Sequence, residues 1–128
     1  NIDTLNLNES LENVAQYKAS DMKQKDYVSH TSPSGSNLTD RLDKFSLKCN
    51  QSGENIGQIY YKREIDVDYT DEPVNYTTEK ELARGINKQF MNSDGHKNNI
   101  ISRQYDDYGI GLSITENGKV YVSQIFCG

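Results

Sequence analysis

Apolar and polar residues follow a helical period near the start of the chain. The apolar positions recur every three or four residues on one face, and they are Leu11, Val14, Ala15, Ala19 and Met22. Glu, Lys, Gln and Asp side chains occupy the opposite face. Asn8 precedes this stretch as a candidate N-cap, and acidic residues in the first turn favour the helix dipole. The pattern predicts an amphipathic helix from Asn8 to about Tyr27.

The middle of the chain carries shorter patterns. Residues 30–36 contain a Ser-Pro pair and a glycine, which predicts a loop, and residues 39–45 predict a short helical turn. Residues 53–61 predict a strand, although their alternation is imperfect. Residues 62–77 are polar and mostly acidic, and they lack the ligand and glycine order of an EF-hand calcium loop. We therefore expect a solvated loop there.

A second amphipathic pattern lies further along the chain. Thr78, with Glu81 three residues later, forms a capping-box signature. The apolar residues that then repeat every four positions are Leu82, Ile86 and Phe90. This spacing predicts a helix with one buried face. We expect residues 93–95 to break that helix and a short helix to follow over residues 96–101.

The C-terminal part alternates strictly between the two sides of a strand. The alternating bulky positions are Tyr108, Ile110, Leu112 and Ile114. Asn117-Gly118 then gives a strong hairpin signal, and a two-residue turn there predicts that Ile114 lies opposite Tyr121. Both faces of this hairpin carry apolar side chains, so helices must cover both. The sequence therefore predicts an α+β fold, a three-layer α-β-α sandwich.

Length and charge restrict the class of protein. A chain of 128 residues fits one domain, which we assign to residues 1–128, and we expect a monomer. The net charge of -5 and the pI near 5.0 argue against nucleic acid as a partner, because phosphate backbones require clustered Lys and Arg. No apolar run approaches the roughly 18 residues of a membrane-spanning helix, so no transmembrane segment is expected.

Cysteine usage gives the clue to the compartment. Cys49 and Cys127 are the only cysteines. They are either disulfide-bonded or two free buried thiols. We expect the disulfide, because Cys127 ends a predicted strand and Cys49 just precedes one. A bridge implies an oxidising compartment outside the cytoplasm.

The two histidines of the chain, His30 and His96, lie in segments rich in turn-forming residues. Between them, Glu54 stands in a short segment framed by Gly53 and Gly57. Histidines scattered through a chain usually have only a structural role, at the surface or in the core. These three side chains, each set among Ser, Pro, Asp or Gly, indicate one polar site assembled from distant segments.

Five motifs together resemble a known family. They are HTSPSG from His30, GENIG from Gly53, FMNSDGHKNNI from Phe90, YGIG from Tyr108 and VYVSQIFC ending at Cys127. In this order they are similar to the CAP superfamily, the SCP-like domain of cysteine-rich secretory proteins, antigen 5 and pathogenesis-related proteins. The likeness is to its bacterial and archaeal members. It spans about residues 8–127.

The resemblance implies an α-β-α sandwich with a central, mainly antiparallel sheet. It also implies a cleft in which two histidines and up to two acidic residues converge. Carried over to this sequence, the histidines are His30 and His96, and the first acid is Glu54. The place of the second acid falls at Ser93 or, on a shifted alignment, at Gln89. Because neither residue is acidic, the hypothesis of a hydrolytic function is weaker.

The chemistry of these residues leaves alternatives open. Two imidazoles suit zinc or another divalent cation, so His30 and His96 are candidate metal ligands, although no cofactor is required. Glu54 is either a general base or a buried structural carboxylate that accepts backbone hydrogen bonds. One hypothesis is a metal-assisted peptidase or other hydrolase that uses His30, Glu54 and His96 as catalytic residues.

The hypothesis we favour is a non-catalytic binding module. As the family resemblance implies for many members, its partner would be a lipid, a sterol or another protein. We expect an extracellular or cell-surface location, either secreted or lipid-anchored.

Overall fold

The computed structural model describes residues 5–60, 86, 90–91 and 94–128. The elements there are β1 (Asn6–Leu7), α1 (Glu9–Lys25), α2 (Leu38–Lys44), β2 (Ser52–Tyr60), α3 (Asp94–Ile101), β3 (Asp107–Ile114) and β4 (Lys119–Cys127). The strands form one sheet in the order β1-β3-β4-β2. β1 runs parallel to β3, and the other two pairs are antiparallel. The predicted α+β fold with a mainly antiparallel sheet is confirmed.

Helix α1 begins and ends where local chemistry dictates. The side-chain oxygen of Asn8 accepts a hydrogen bond from the N–H of Leu11 at 3.1 Å, which caps the first turn. The helix ends because Asp26 adopts a left-handed backbone conformation with φ of 53°. The predicted end near Tyr27 was therefore slightly late. All five predicted apolar positions are buried, and so is Lys18, which the pattern had placed on the solvent side.

Helices cover both faces of the sheet and give the three layers. The apolar cluster on the face of α1 and α2 is Leu11, Val14, Ala15, Leu42 and Ile125. The cluster on the other face is Ile59, Ile86, Phe90, Val120 and Val122. Ile86 and Phe90 are helical. The predicted sandwich thus has apolar packing on both sides of one sheet.

The β3–β4 hairpin differs from the prediction by one residue. Ile114 pairs with Val120 rather than with the residue after it. The N–H of Gly118 donates to the C=O of Thr115 at 3.1 Å, and the N–H of Thr115 donates to the C=O of Lys119 at 2.8 Å. The loop therefore has three residues, and Gly118 takes the left-handed position with φ of 87°. Because a shift of one residue exchanges the two faces, the predicted facing partners were wrong.

This register places two glycines of β3 under α1. A Cβ at Gly109 would overlap the backbone at Leu11, and a Cβ at Gly111 would overlap the backbone at Ala15 and Gln16. The helix therefore rests directly on the strand. The side chain of Gln16 also hydrogen-bonds the N–H and C=O of Leu112 at 3.2 and 2.7 Å, which fixes the helix along the strand.

The predicted disulfide between Cys49 and Cys127 is present, with the two Cα atoms 5.3 Å apart. It joins the segment before β2 to the end of β4. Next to it, the N–H of Gly128 donates to the C=O of Gln51 at 2.8 Å. This end of the sheet is therefore fixed both covalently and by the strand ladder.

Some expectations concern residues outside the described part of the chain. The predicted loop at 62–77, the capping box of Thr78 and Glu81, and Leu82 are among them. The predicted break at 93–95 is wrong in part, because Asp94 and Gly95 are the first residues of α3. In the ranges the structure describes, no helix combines the length and apolarity needed to span a bilayer.

Candidate functional site

His30 and Glu54 meet at the edge of the sheet. Nδ1 of His30 lies 3.0 Å from Oε1 of Glu54. The imidazole is 60% exposed, whereas the Glu54 side chain is only 2% exposed. Glu54 lies on β2, and His30 lies in the loop between α1 and α2. The pair is therefore a buried carboxylate that orients a histidine ring at the surface.

Glu54 is saturated by side-chain donors. Arg41 donates to Oε1 through Nη2 at 3.1 Å and to Oε2 through Nη1. The hydroxyl of Ser123 donates to Oε2 at 3.4 Å. The burial of Glu54 fits our interpretation as a structural carboxylate, but these donors are side chains rather than the backbone amides we expected. With both oxygens facing a guanidinium, the carboxylate is held as one half of a buried ion pair.

Arg41 is the residue that the sequence analysis missed. It lies on α2, and its side chain is 3% exposed. Its Nη2 also donates to the backbone C=O of His30 at 2.9 Å. In the polar segment LTDRLDK an arginine is expected to face solvent, so no pattern marked it. The useful signal would have been the predicted burial of Glu54, because a buried carboxylate requires a cationic partner.

Lys18 is a second buried cation beneath the same loop. Its Nζ donates to the hydroxyl of Tyr27 at 3.1 Å and lies 3.5 Å from the C=O of His30. Burial, aided by the positive charge of Arg41, lowers the pKa of Lys18 to about 8. The Tyr27 hydroxyl donates in turn to Asp21 at 2.5 Å. Two buried cations therefore point at the carbonyl of His30 and hold its loop.

His96 lies on the opposite face of the sheet, on α3. Its backbone C=O accepts a hydrogen bond from the side chain of Asn55 at 3.0 Å. Its ring packs against Phe90, with the ring centroids 4.9 Å apart. Burial, and secondly the charge of His30, lower the pKa of His96 below its ordinary value. His30 contacts Glu54 and the backbone of His96 contacts Asn55, so the two histidines approach β2 from opposite sides.

A second polar network, also missed from the sequence, fixes α3 to β2. Asn99 donates to the side-chain oxygen of Asn55 at 2.8 Å and to the C=O of Glu54 at 3.3 Å. Asn55 donates to Gln124 of β4 at 3.1 Å. Since Glu54 and Asn55 are adjacent in a strand, their side chains point to opposite faces. The GEN motif thus supplies one polar group to each side of the sheet.

The described residues do not fit a metal centre of high affinity. Among them, no group of three His, Cys, Asp or Glu residues is placed to hold one ion. Glu54 is an unsuitable ligand, because Arg41 occupies both of its oxygens and would repel a cation. The imidazoles of His30 and His96 remain as candidate ligands. Ser93 and Gln89, where a second acid was sought, lie outside the described residues.

An open groove of about 360 Å³ borders the His30–Glu54 pair. The lining residues are His30, Asn37, Leu38, Thr39, Ser52 and Glu54. Five of these six residues carry a hydrogen-bonding side chain, and Leu38 is the aliphatic one. The exposed imidazole therefore faces a depression of mixed polar and apolar surface between α2 and the start of β2.

Comparison with known proteins agrees with this fold. Residues 1–126 match the model of the cysteine-rich secretory protein family, CAP. The Bacillus subtilis protein YkwD is 28% identical over 120 residues, which are 94% of this chain and 38% of YkwD. The chain therefore spans less than half of that relative's length.

Two solved structures share the fold. An extracellular protein containing a SCP domain from Bacillus anthracis superposes with a TM-score of 0.65 at 24% identity, over 98% of this chain and 34% of that one. An outer surface protein from Borrelia burgdorferi superposes with a TM-score of 0.72 at 21% identity, over 98% of this chain and 78% of that one. From the family match over nearly its whole length, this chain belongs to the CAP family of cysteine-rich secretory proteins.

Proposed function

We propose that this CAP domain is a secreted or surface-exposed binding module that does not turn over its partner. Two kinds of observation support the location. The disulfide between Cys49 and Cys127 is typical of oxidising compartments. The similar structures described above come from an extracellular protein and an outer surface protein.

The burial of Glu54 and its contacts with Arg41 are the main support for a function without catalysis. A general base must present a carboxylate oxygen to a substrate proton. Glu54 instead points both oxygens at Arg41, and its side chain is 2% exposed. As a metal ligand it would meet the same guanidinium. A metal-assisted hydrolase using His30, Glu54 and His96 would therefore lack its acidic member.

The groove beside His30 is small and has one aliphatic lining residue, Leu38, which favours a segment of another protein over a sterol or an acyl chain. Sites for lipids bury large apolar surfaces, because burial of CH₂ groups supplies most of their binding energy. The lining here contains Leu38 among Asn37, Thr39, Ser52 and His30. Hydrogen bonds from such groups recognise polar atoms of a ligand.

A turnover screen tests this proposal. Purified protein is incubated with a broad peptide library and with ester substrates, with and without zinc, and is also tested for co-sedimentation with sterol-containing phosphatidylcholine vesicles. We expect neither turnover nor vesicle binding. The matched variants are His30→Ala, His96→Ala and the exposed hairpin control Glu116→Ala. Turnover that persists in the control but disappears in both folded histidine variants would overturn the proposal.

A further inference from the structure

Among the residues that the structure describes, the outer edge of β2 has unpaired backbone groups at Ser52, beside the groove. Gln51 and Gly128 exchange two backbone hydrogen bonds, of 3.2 and 2.8 Å. In an antiparallel ladder the next pair, Ser52 with Cys127, is then not hydrogen-bonded. The N–H and C=O of Ser52 therefore point away from β4. In the sheet as described, β2 is an outer strand, so no further strand receives them.

The groove continues past Ser52 along α2. A second depression of about 310 Å³ is lined in part by Thr39 and Ser52, which also line the first. The two depressions thus adjoin at Thr39 and Ser52, and together we call them the α2–β2 groove. Their lining residues include His30 in the first depression and Asn50 in the second.

The α2–β2 groove contains hydrogen-bonding groups that the described fold leaves unused. The hydroxyls of Thr39 and Ser52 have no hydrogen-bond partner among the residues the structure describes. The same holds for the outward N–H and C=O of Ser52. Nδ1 of His30 is engaged by Glu54, so its Nε2 is the ring atom left for a ligand. The groove thus offers both donors and acceptors to a ligand.

We propose that the α2–β2 groove binds an extended peptide, which adds to the edge of β2 by pairing its main chain with Ser52. This rests on the proposed binding function and names its partner class. A peptide main chain offers an N–H and a C=O together, as the outward groups of Ser52 require. Among the described residues, no Tyr or Phe ring lines the groove as a stacking platform for a sugar.

The peptide segment is short and ends near His30. Beyond Ser52, the next outward carbonyl of β2 is that of Glu54, and Asn99 already donates to it at 3.3 Å. Strand addition therefore stops there. The groove contains both Asp43 and Lys48, so its charge selects neither a strongly acidic nor a strongly basic peptide. The imidazole of His30 contacts the side chain at the end of the peptide.

Panning and NMR test the peptide site. A phage-displayed library of random linear nonapeptides is panned against the full chain, and the tightest nonapeptide is synthesised. We expect it to shift the amide signals of Ser52 and of its groove neighbours. The same peptide with alternate backbone nitrogens methylated loses the N–H groups for pairing, so we expect it to bind at least tenfold more weakly.

A pair of variants at one position isolates the main-chain contact. Ser52→Pro removes the outward N–H but leaves the ladder to β4 intact, since edge strands tolerate proline where the N–H faces solvent. We expect at least a tenfold loss of affinity. Ser52→Ala keeps the N–H and removes only the hydroxyl, so we expect it to lose clearly less affinity than Ser52→Pro. The exposed hairpin variant Glu116→Ala is the control and should stay within about threefold of wild type. Should Ser52→Pro fail to fold, the methylated peptide on wild-type protein decides.

The outcomes separate this inference from the proposed function. Failure to select any nonapeptide, shifts confined to another surface, or equal binding of the methylated peptide would each overturn the peptide site while leaving a binding module intact. Cleavage of the bound nonapeptide that is lost in His30→Ala would instead overturn the non-catalytic function and keep the site.

Discussion

At the scale of single residues, the most unusual feature is the buried charge beneath His30. Counted over the whole residue, Lys18 and Arg41 are 0% and 2% exposed, and Glu54 is 7% exposed. Removing such groups from water is costly, and a buried ion pair often stabilises a protein less than apolar side chains would. Both cations, however, approach the backbone carbonyl of His30. The cluster therefore determines where the loop presents its imidazole.

Replacing Arg41 should expose this dependence. Arg41→Ala leaves the Glu54 carboxylate buried without its cation, and breaking such a pair typically costs about 3–5 kcal/mol. We expect a loss of that size in the free energy of unfolding, measured by urea denaturation. The exposed Arg103→Ala is the control and should change stability by less than about 0.5 kcal/mol. Similar effects of the two variants would show that the pair is not buried in solution.

Lys18 should make stability depend on pH in the alkaline range. Its folded-state pKa is about 8 against an ordinary 10.5, so between these values the unfolded chain binds more protons than the folded one. Stability from this residue therefore rises with pH from about 8 to 10.5, by up to about 3 kcal/mol. To isolate the contribution of Lys18, the free energy of unfolding of wild type and of Lys18→Met is measured at several pH values and the difference is taken. A pH-independent difference would contradict the prediction.

At the scale of the elements, helix α1 lies unusually near strand β3 for a helix packed on a sheet. Gly109 and Gly111 face the helix, where a Cβ would overlap its backbone. Both glycines lie in strand β3, which pairs with β4 along its length. Without side chains between them, the helix and strand approach closely enough for Gln16 to bond the backbone of Leu112. Small residues, rather than large apolar ones, therefore set the spacing of these two layers.

Alanine substitution at two glycines tests this spacing. Gly111→Ala introduces a methyl group where the backbone of Gln16 lies, and overpacking of this kind costs about 1–3 kcal/mol or more. Gly95→Ala is the matched control, because open space surrounds that position in α3, and alanine favours a helix over glycine by up to about 1 kcal/mol. The midpoint of thermal unfolding should therefore fall in Gly111→Ala and rise in Gly95→Ala. Equal midpoints would contradict the close approach.

The elements also show what sequence patterns can predict. Periodicity located α1 and the strands β2, β3 and β4, because apolar residues repeat at regular positions along each of them. It failed at β1, since two residues carry no period, and at the hairpin, where Asn117-Gly118 fits two loop lengths. Turn-forming neighbours, rather than periodicity, singled out His30 and Glu54, which lie 3.0 Å apart, and their role in function stays a prediction. The sequence patterns missed Arg41, because the burial of that side chain depends on Glu54, which is distant in sequence.

At the scale of the whole molecule, one sheet separates apolar clusters that have no residue in common. The core under α1 and α2 includes Ile125 of β4, and the opposite core includes Val120 and Val122 of the same strand. β4 is thus central both in the sheet and between the layers. The disulfide joins the end of this strand to the segment that leads from α2 into β2. It therefore fixes the α2–β2 groove relative to the core.

The last prediction concerns that covalent link. Cys49 and Cys127 are 78 residues apart, and in the chain-entropy model closing a loop of that length stabilises the folded state by about 4–5 kcal/mol. We expect Cys49→Ser combined with Cys127→Ser to lower the free energy of unfolding by that amount, and reduced wild-type protein to match the double variant. Intact mass after alkylation without reductant should show no labelled thiols. Two labelled thiols in freshly isolated protein, or a urea midpoint unchanged by reduction, would contradict this. Because the bridge lies beside the α2–β2 groove, its loss should also lower the affinity for a ligand bound there.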